Sequence, residues 1–313
     1  EMNNRIRQLF SAEREEIERI LLALSERFRS RLPQLEQNLA VLVRLDAIHA
    51  TARFARRLNC SSPQIVDAAS GRLHLLSAKH PLLLLRGTDQ QDVIPLDLDL
   101  GADFVTLILT GPNAGGKTVA MKTVGLLSLM ALSGLPIPAA AESTVPVFRK
   151  IYADIGDRQS IENDLSTFTS HMARLVEILG GAGSADLVLL DEIGSGTDPD
   201  EGAALAVAIL HELTQRRCLT LVTTHHGALK TFAHEYPGVH NGSMAFDGAT
   251  LQPTYRYNDG IPGEPGDSPD PGVSIATGAN QLVSITFEIQ PDLLQRIRPT
   301  KDNGVRTDLL DEN

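Results

Sequence analysis

FVTLILTGPNAGGKT, the sequence of residues 104–118, joins an apolar run directly to a glycine-rich loop. The run Phe104–Leu109 is short and rich in β-branched residues, which is typical of a strand that is covered on both faces. The loop Gly111–Thr118 matches the pattern G-x-x-x-x-G-K-[ST] at every position. Residues 117–132 then predict a helix that ends before Gly134. This order of strand, loop and helix predicts a phosphate-binding loop, whose ligand is a nucleoside triphosphate with magnesium.

The chemistry of such a loop explains the residue types in it. Its glycines let backbone N–H groups turn toward the phosphates, and the N-terminus of the following helix adds partial positive charge. Lys117 would reach the outer phosphates, and the Thr118 hydroxyl would coordinate magnesium. The alternative interpretation is an ordinary glycine-rich turn between a strand and a helix.

Charge is unevenly distributed along the 313 residues, whose formal net charge is −11. Residues 1–60 contain 11 Arg, no Lys and 8 acidic residues. The chain as a whole is therefore not a basic protein that coats nucleic acid, and its first segment is the place where a polyanion could bind. A charged helical surface would give the same count, so both interpretations stay open.

The cysteines and the hydropathy indicate the compartment. Cys60 and Cys218 lie far apart without metal-ligand spacing, so they predict neither a disulfide framework nor a zinc site. The sequence contains no charged-then-apolar leader at its start and no apolar stretch of about 18 residues. These features predict a cytoplasmic location.

The chain divides into three segments by its pattern of apolar residues. Residues 1–60 carry them at helical spacing, interrupted at Pro33, and predict two long helices that form a lever or arm. Residues 61–256 alternate short apolar runs with helical stretches, which indicates an α/β domain with a mostly parallel sheet. Residues 257–313 are rich in Pro, Gly and Asp and predict a flexible tail, in which residues 281–289 could add one strand. The clearest strands predicted in the α/β segment are Leu82–Leu85, Phe104–Leu109, Leu187–Leu190 and Leu219–Thr224.

Two adjacent carboxylates follow one of these strands. Asp191 and Glu192 come directly after Leu187–Leu190, at the strand end where open α/β sheets place their ligands. Asp191 is suited to hold magnesium through water, and Glu192 to orient or deprotonate the attacking water of a hydrolysis. Acidic pairs at strand ends are common and often have no catalytic role. The upstream phosphate loop nevertheless favours the catalytic interpretation.

Polar residues at two further points suit phosphate chemistry. His225 follows the run that begins at Leu219, and its ring could donate a hydrogen bond to the γ-phosphate. Ser166 and Thr167 stand at the start of a predicted helix, where hydroxyl groups cap the helix and can also bind an anion. The alternatives are a partly exposed histidine and a simple helix cap.

A glycine-containing loop follows the carboxylates. Asp198, with Pro199 at the first helical position, predicts the start of another helix. Gly194 and Gly196 before it permit close approach to another surface.

The order of these features resembles that of an ABC-type P-loop ATPase, and the sequences of the motifs are similar to those of the MutS family. Ser166-Thr167-Phe168 stands where transporter ATPases have Leu-Ser-Gly-Gly-Gln. The phosphate loop, DEIGSGT from Asp191 and TTHH from Thr223 all look like MutS-type motifs. Residues 153–162 (ADIGDRQSIE) and 198–204 (DPDEGAA) are similar to the second bacterial MutS type, which often carries a C-terminal Smr nuclease domain. The resemblance covers roughly residues 3–256.

By position, this resemblance implies a site for ATP and Mg²⁺. Thr118 and Asp191 would hold the metal ion. Glu192 would be the catalytic carboxylate, with His225 as the switch histidine and Gln159 near the metal and the attacking water. The ATP-binding residues would be Gly111, Pro112, Asn113, Ala114, Gly115, Gly116, Lys117 and Thr118, together with Ser166 from the other subunit.

The resemblance also implies partners. ATP would hold two copies head to tail in a homodimer, hydrolysis would release them, and the helical arm would transmit this change to a clamp on DNA or on the ribosome. The family binds mismatched or branched DNA, limits recombination and, in some members, splits stalled ribosomes. After Gly260–Gly263 the sequence departs from the family, and no segment resembles the Smr domain, so nuclease activity is not expected in this chain. The alternative function is a nucleotide-gated dimerisation or binding module with negligible turnover.

Overall fold

The computed structural model divides the chain into two units, Glu1–Phe54 and Ala55–Asn313. It describes residues 2–68, 71–86, 93–112, 115–156, 164–247, 252–260 and 285–288. Within these ranges, only the backbone is described for residues 164–170, 246–247, 252–253 and 285–288. Most of the predicted tail therefore lies outside the described residues.

The first unit consists of long helices, as the spacing of apolar residues predicts. Helix α1 spans Met2–Arg29 and contains no buried residue. Helix α2 spans Leu32–Leu58, continues past Phe54 into the second unit, and buries only Leu58. Among the described residues, no helix combines the length and the hydropathy that crossing a lipid bilayer requires.

The second unit alternates strands and helices around two sheets. Its short apolar runs form strands and its longer amphipathic stretches form helices. In chain order the remaining elements are β1 (Gln64–Val66), β2 (Leu73–Ala78), α3 (Pro81–Arg86), β3 (Leu96–Leu100), β4 (Thr106–Thr110), α4 (Lys117–Leu132), β5 (Thr144–Pro146), β6 (Lys150–Asp154), α5 (Asp164–Gly181), β7 (Asp186–Leu190), α6 (Pro199–Gln215), β8 (Leu219–Thr223), α7 (Gly227–Glu235), β9 (Val239–Asp247), β10 (Gln252–Asp259) and β11 (Ile285–Glu288).

The larger sheet has the strand order β10-β9-β4-β8-β7-β6-β11. Its five central strands are parallel, and β10 and β11 are antiparallel edge strands. Every residue of β4, β7 and β8 is buried, as expected for parallel strands that are covered on both faces. Helices α5, α6 and α7 contribute to the core against these strands. The mostly parallel α/β architecture predicted from the sequence is therefore confirmed.

The smaller sheet has the order β1-β5-β2-β3. Strands β1 and β5 are parallel, whereas β2 is antiparallel to both of its neighbours. Leu73, Leu75, Leu98 and Leu100 of the β2–β3 pair are buried. Alternate leucines thus form one apolar face of this sheet.

The strand predicted at Leu82–Leu85 is wrong, because these residues lie in α3. Pro81 occupies the first helical position, where its fixed φ suits a helix and its missing N–H is not needed. Leucine also has a high helix propensity and lacks the branched Cβ that favours strands. Only Leu84 of the four leucines is buried, so the apolar run does not mark a strand covered on both faces.

Candidate active site

The glycines of the phosphate loop pack against a distant hairpin. Gly111 and Gly116 have φ values of 125° and 90°, which side-chain-bearing residues rarely adopt. A Cβ atom on Gly111 would lie 3.1 Å from the Met244 carbonyl oxygen, and one on Gly116 would lie 2.9 Å from Cδ1 of Tyr255. Strands β9 and β10 therefore cover the loop, a contact that no local sequence signal predicts.

Lys117 stands at the start of α4 with its ammonium group turned back on the loop. Its Nζ donates hydrogen bonds to the carbonyl oxygens of Gly111 (2.5 Å) and Pro112 (3.0 Å). Burial lowers the pKa of this ammonium group, and the nearby Glu192 and Asp191 carboxylates oppose that shift. The loop thus holds a desolvated cation where the phosphate-binding motif requires one.

Thr118 and Asp191 meet although 73 residues separate them in the chain. The Thr118 hydroxyl donates to Oδ1 of Asp191 over 3.2 Å, and only 8% of Asp191 is exposed. Strands β4 and β7 both flank β8, so their carboxyl ends lie at the same edge of the sheet. A hydroxyl and a carboxylate side by side are hard oxygen ligands that fit Mg²⁺.

Glu192 has an unusual backbone conformation. Its φ of 50° lies in the left-handed region, which costs a non-glycine residue about 1–3 kcal/mol. Hydrogen bonds hold it on both sides: its N–H donates to the Thr223 hydroxyl (2.8 Å), and its carbonyl oxygen accepts from the Ser195 hydroxyl (2.7 Å). The strand end thus turns sharply at the predicted catalytic residue.

A histidine–aspartate contact that sequence analysis did not single out lies beside the carboxylates. Nδ1 of His171, on α5, is 2.7 Å from Oδ2 of Asp154, at the end of β6, and both side chains are largely buried. Together with Asp191 and Ser195 they line a cavity of about 20 Å³, which has room for about one water molecule. The sequence signal that could have found this contact is a polar residue at a strand end, Asp154, and a second one, His171, on the helix that carries Ser166.

His225 follows β8 and is exposed at the same edge of the sheet. Its ring lies 4.4 Å from the ring of His226, centroid to centroid, and His226 is largely buried at the start of α7. The Thr224 N–H donates to the Leu109 carbonyl oxygen (3.2 Å), which fixes this turn against β4. His225 is therefore next to the strand that leads into the phosphate loop.

The remaining predicted site residues are described in part or not at all. Ser166 lies in α5, where only the backbone is described. Asn113, Ala114 and Gln159 lie outside the described residues. Their predicted roles stay predictions.

The loop after Glu192 is fixed to the start of α6. The Asp198 side chain accepts hydrogen bonds from the N–H groups of Asp200 and Glu201, and Pro199 takes the first helical position, as predicted. A Cβ atom on Gly194 would lie 2.4 Å from the carbonyl oxygen of Gly202. The absence of a side chain at Gly194 thus lets the loop backbone pack closely against α6 of the same chain.

These features define the class of the protein. A buried strand, a phosphate loop and a helix, with an acidic pair on a neighbouring parallel strand, form an α/β P-loop domain. The chain belongs to the MutS domain V family, whose model matches residues 107–280. This match confirms the predicted family, and it extends beyond residue 256, where the motif resemblance ends.

Curated relatives support the same assignment. The chain is 49% identical over 263 residues to an Endonuclease MutS2 of Clostridium tetani, covering 84% of this chain and 33% of the relative. It is 50% identical over 264 residues to an Endonuclease MutS2 of Ruminiclostridium cellulolyticum, covering 84% and 32%. A third, from Geobacillus thermodenitrificans, is 48% identical over 263 residues, covering 84% and 33%. The chain spans about a third of the length of these relatives.

Proposed function

We propose that this chain is the ATP-binding and ATP-hydrolysing domain of a MutS-type protein that acts on DNA or on stalled ribosomes through ATP-dependent dimer clamping. The contact between Thr118 and Asp191 carries the proposal. It joins the helix that follows the phosphate loop to the strand that delivers the acidic pair. Binding and hydrolysis of a magnesium nucleotide require the phosphate loop and the acidic pair to lie side by side.

In the binding step, the loop Gly111–Thr118 receives the phosphates. Lys117 would exchange its two loop carbonyl partners for phosphate oxygens, which are stronger acceptors for a buried ammonium group. Thr118 and Asp191 would hold Mg²⁺, which neutralises phosphate charge and orients the leaving group.

In the hydrolytic step, Glu192 would orient a water molecule and accept its proton. The water oxygen forms a bond to the γ-phosphorus, and the bond from that phosphorus to the β–γ bridging oxygen breaks, which gives ADP and phosphate. His225 would donate a hydrogen bond to the γ-phosphate, and Gln159 would lie near the metal and the water. The polar groups at this edge of the sheet supply the electrostatic stabilisation that phosphoryl transfer requires.

The proposal includes a second copy of the chain. Ser166 at the start of α5 would contact the γ-phosphate held by the partner, so that ATP joins a homodimer and hydrolysis releases it. The long helices of residues 1–60 would act as a lever, and contact with DNA or the ribosome would be made mostly by regions outside these 313 residues. Gel shifts with branched DNA and co-sedimentation with ribosomes, each with ATP, would separate the two targets in the full-length protein.

We further propose a cytoplasmic location and no nuclease activity in this chain. The name endonuclease is that of relatives of whose length this chain spans about a third. Incubating the purified chain with plasmid DNA and Mg²⁺ tests the second point, because nicking that copurifies with the chain through two columns would contradict it.

Replacing the proposed base tests hydrolysis. Glu192→Gln should abolish ATP turnover at high protein concentration while ATP still binds, because the amide cannot accept the proton. Glu201→Gln, an exposed acid in the first turn of α6, serves as the matched control and should retain wild-type turnover. Equal and negligible turnover in wild type and Glu192→Gln would favour the nucleotide-gated module without hydrolysis.

A sizing experiment tests the shared site. ATP with Mg²⁺ should convert monomer to dimer for Glu192→Gln, in which the bound nucleotide persists. Ser166→Ala added to this variant should weaken the dimer, whereas Ser170→Ala, one turn later on α5, should not. A chain that stays monomeric while binding ATP would contradict the dimer mechanism but leave the nucleotide site standing.

A further inference from the structure

Thr223 contacts both residues of the acidic pair, the carboxylate of Asp191 and the backbone of Glu192. It is the last residue of β8, it is fully buried, and the pairing of Leu190 with Val222 places it beside Asp191. Its hydroxyl oxygen is 2.5 Å from Oδ1 of Asp191 and 2.8 Å from the backbone nitrogen of Glu192. One side chain thus touches both members of the acidic pair.

The direction of these two hydrogen bonds is fixed by chemistry. An ionised carboxylate only accepts, and a backbone N–H only donates, whereas a hydroxyl does both. The Thr223 hydroxyl therefore gives its single proton to Asp191 and accepts the N–H of Glu192 with a lone pair. Among small uncharged side chains, only the hydroxyls of threonine and serine make both bonds from one atom.

Each bond controls a different property of the pair. The bond to Oδ1 of Asp191, together with that from the Thr118 hydroxyl, fixes the rotation of the proposed magnesium-binding carboxylate. The bond from the Glu192 N–H helps to hold that residue in its left-handed conformation, while Ser195 holds its carbonyl group. Removing the hydroxyl would leave the Asp191 carboxylate with the Thr118 bond but without that from Thr223, and would remove the acceptor of the partly buried Glu192 N–H.

Other buried threonines of the central strands show that this arrangement is specific. Thr220, on the same strand, donates to the carbonyl oxygen of Cys218, and Thr110 donates to that of Gly242. Thr106 bonds to the Thr214 hydroxyl. These bonds go to backbone carbonyl oxygens or to another threonine, whereas the bonds of Thr223 go to the acidic pair.

We propose that Thr223 is a positioning residue of the site, which holds Asp191 through its carboxylate and Glu192 through its backbone in the geometry for magnesium binding and attack by water. The proposal rests on the proposed function. It predicts that the Thr223 hydroxyl affects Mg²⁺ binding and ATP turnover. The affinity for ATP without metal should not depend on it.

Thr223→Val tests the proposal, because valine keeps the shape and removes the hydroxyl. Turnover should fall about 10- to 100-fold, the usual effect of losing a group that orients a metal ligand. The Mg²⁺ concentration for half-maximal turnover should rise, while ATP affinity measured in EDTA should stay at the wild-type value. Thr223→Ser keeps the hydroxyl and should restore most of the turnover and the Mg²⁺ response.

Thr220→Val is the matched control, since it removes an equally buried hydroxyl from the same strand. It should lower the melting temperature without changing turnover or the Mg²⁺ response. Equal losses for Thr223→Val and Thr220→Val, or no rescue by Thr223→Ser, would overturn the proposal. If Thr223→Val does not fold, Thr223→Ala is compared with Thr223→Ser in the same assays.

A calorimetric measurement separates this proposal from the proposed ATPase function. If wild type shows no more turnover than Glu192→Gln, hydrolysis is absent and the gain in ATP affinity caused by Mg²⁺ becomes the readout. Thr223→Val should then lose most of this gain, and Thr220→Val should keep it. If Mg²⁺ raises the ATP affinity of Thr223→Val as much as that of wild type, the proposed role of Thr223 is wrong, whether or not hydrolysis occurs.

Discussion

Helix α1 and strand β8 contain similar apolar residues but use them in opposite ways. The 28 residues of α1 include no buried side chain, whereas all five residues of β8 are buried. Leu21 of α1 is 57% exposed, and Leu221 of β8 is completely buried. Periodicity therefore predicts which element forms, but the number of covered faces decides what each apolar residue contributes to stability.

The interactions within the two regions differ in the same way. In α1 the described ion pairs are exposed contacts within one turn, Arg19 with Glu16 and Arg29 with Glu26. Solvent screens such exposed pairs, so they contribute little to stability. The sheet instead buries apolar side chains, each worth about 1.5–3 kcal/mol. The unfolding free energy should therefore depend on the α/β unit.

The largest effect is expected for Leu221→Ala in β8. Truncating a fully buried leucine should lower the free energy of unfolding by about 2–5 kcal/mol, through lost burial and the cavity left behind. Urea unfolding followed by tyrosine fluorescence measures this, because all four tyrosines lie after residue 54. A loss below about 1 kcal/mol would contradict the packing of the central strands.

A smaller effect is expected where two glycines touch. A Cβ atom on Gly202 of α6 would lie 2.0 Å from the Gly194 carbonyl oxygen. Gly202→Ala should cost about 1–3 kcal/mol in urea unfolding, although alanine is the better helix former. Gly180→Ala in α5 is the matched control, because its Cβ atom meets nothing within 4 Å. It should leave stability unchanged or raise it, and equal effects of the two changes would refute the close contact.

Much of the site followed from local sequence rules. Helix α4 has the predicted bounds, Lys117–Leu132, because the phosphate loop and Gly134 mark its two ends. Thr118 and Asp191 meet as expected because parallel strands place their carboxyl ends at one edge. These features depend on periodicity, glycines and topology, all of which leave a pattern in the sequence.

The remaining features depend on contacts between distant residues. Tyr255 reaches Gly116 only through the pairing of β10 with β9 and of β9 with β4. Thr223 begins the TTHH motif, but its contacts with Asp191 and Glu192 depend on the pairing of β8 with β7. The helix at Pro81–Arg86 was missed because a short apolar run fits a strand and a helix equally well.

A cap at the edge of the α/β unit should give an intermediate effect. Asp198→Ala removes the acceptor for the N–H groups of Asp200 and Glu201 and should cost about 1 kcal/mol. Asp198→Asn keeps an acceptor oxygen and should cost less. Thermal unfolding of both variants checks this order, and equal costs would show that the charge near the helix N-terminus matters more than the hydrogen bonds.

The smallest effect is expected for Leu21→Ala, the same truncation as in β8 but on the exposed face of α1. Because Leu21 is already 57% exposed, little apolar area is lost, and alanine has the higher helix propensity. The unfolding free energy from tyrosine fluorescence should change by less than about 0.5 kcal/mol, and circular dichroism at the helix band should keep its amplitude. A loss approaching that of Leu221→Ala would mean that Leu21 is covered in solution, and the contrast between the two regions would then be wrong. The pair of substitutions therefore measures burial directly, since side-chain chemistry is identical and only the surroundings differ.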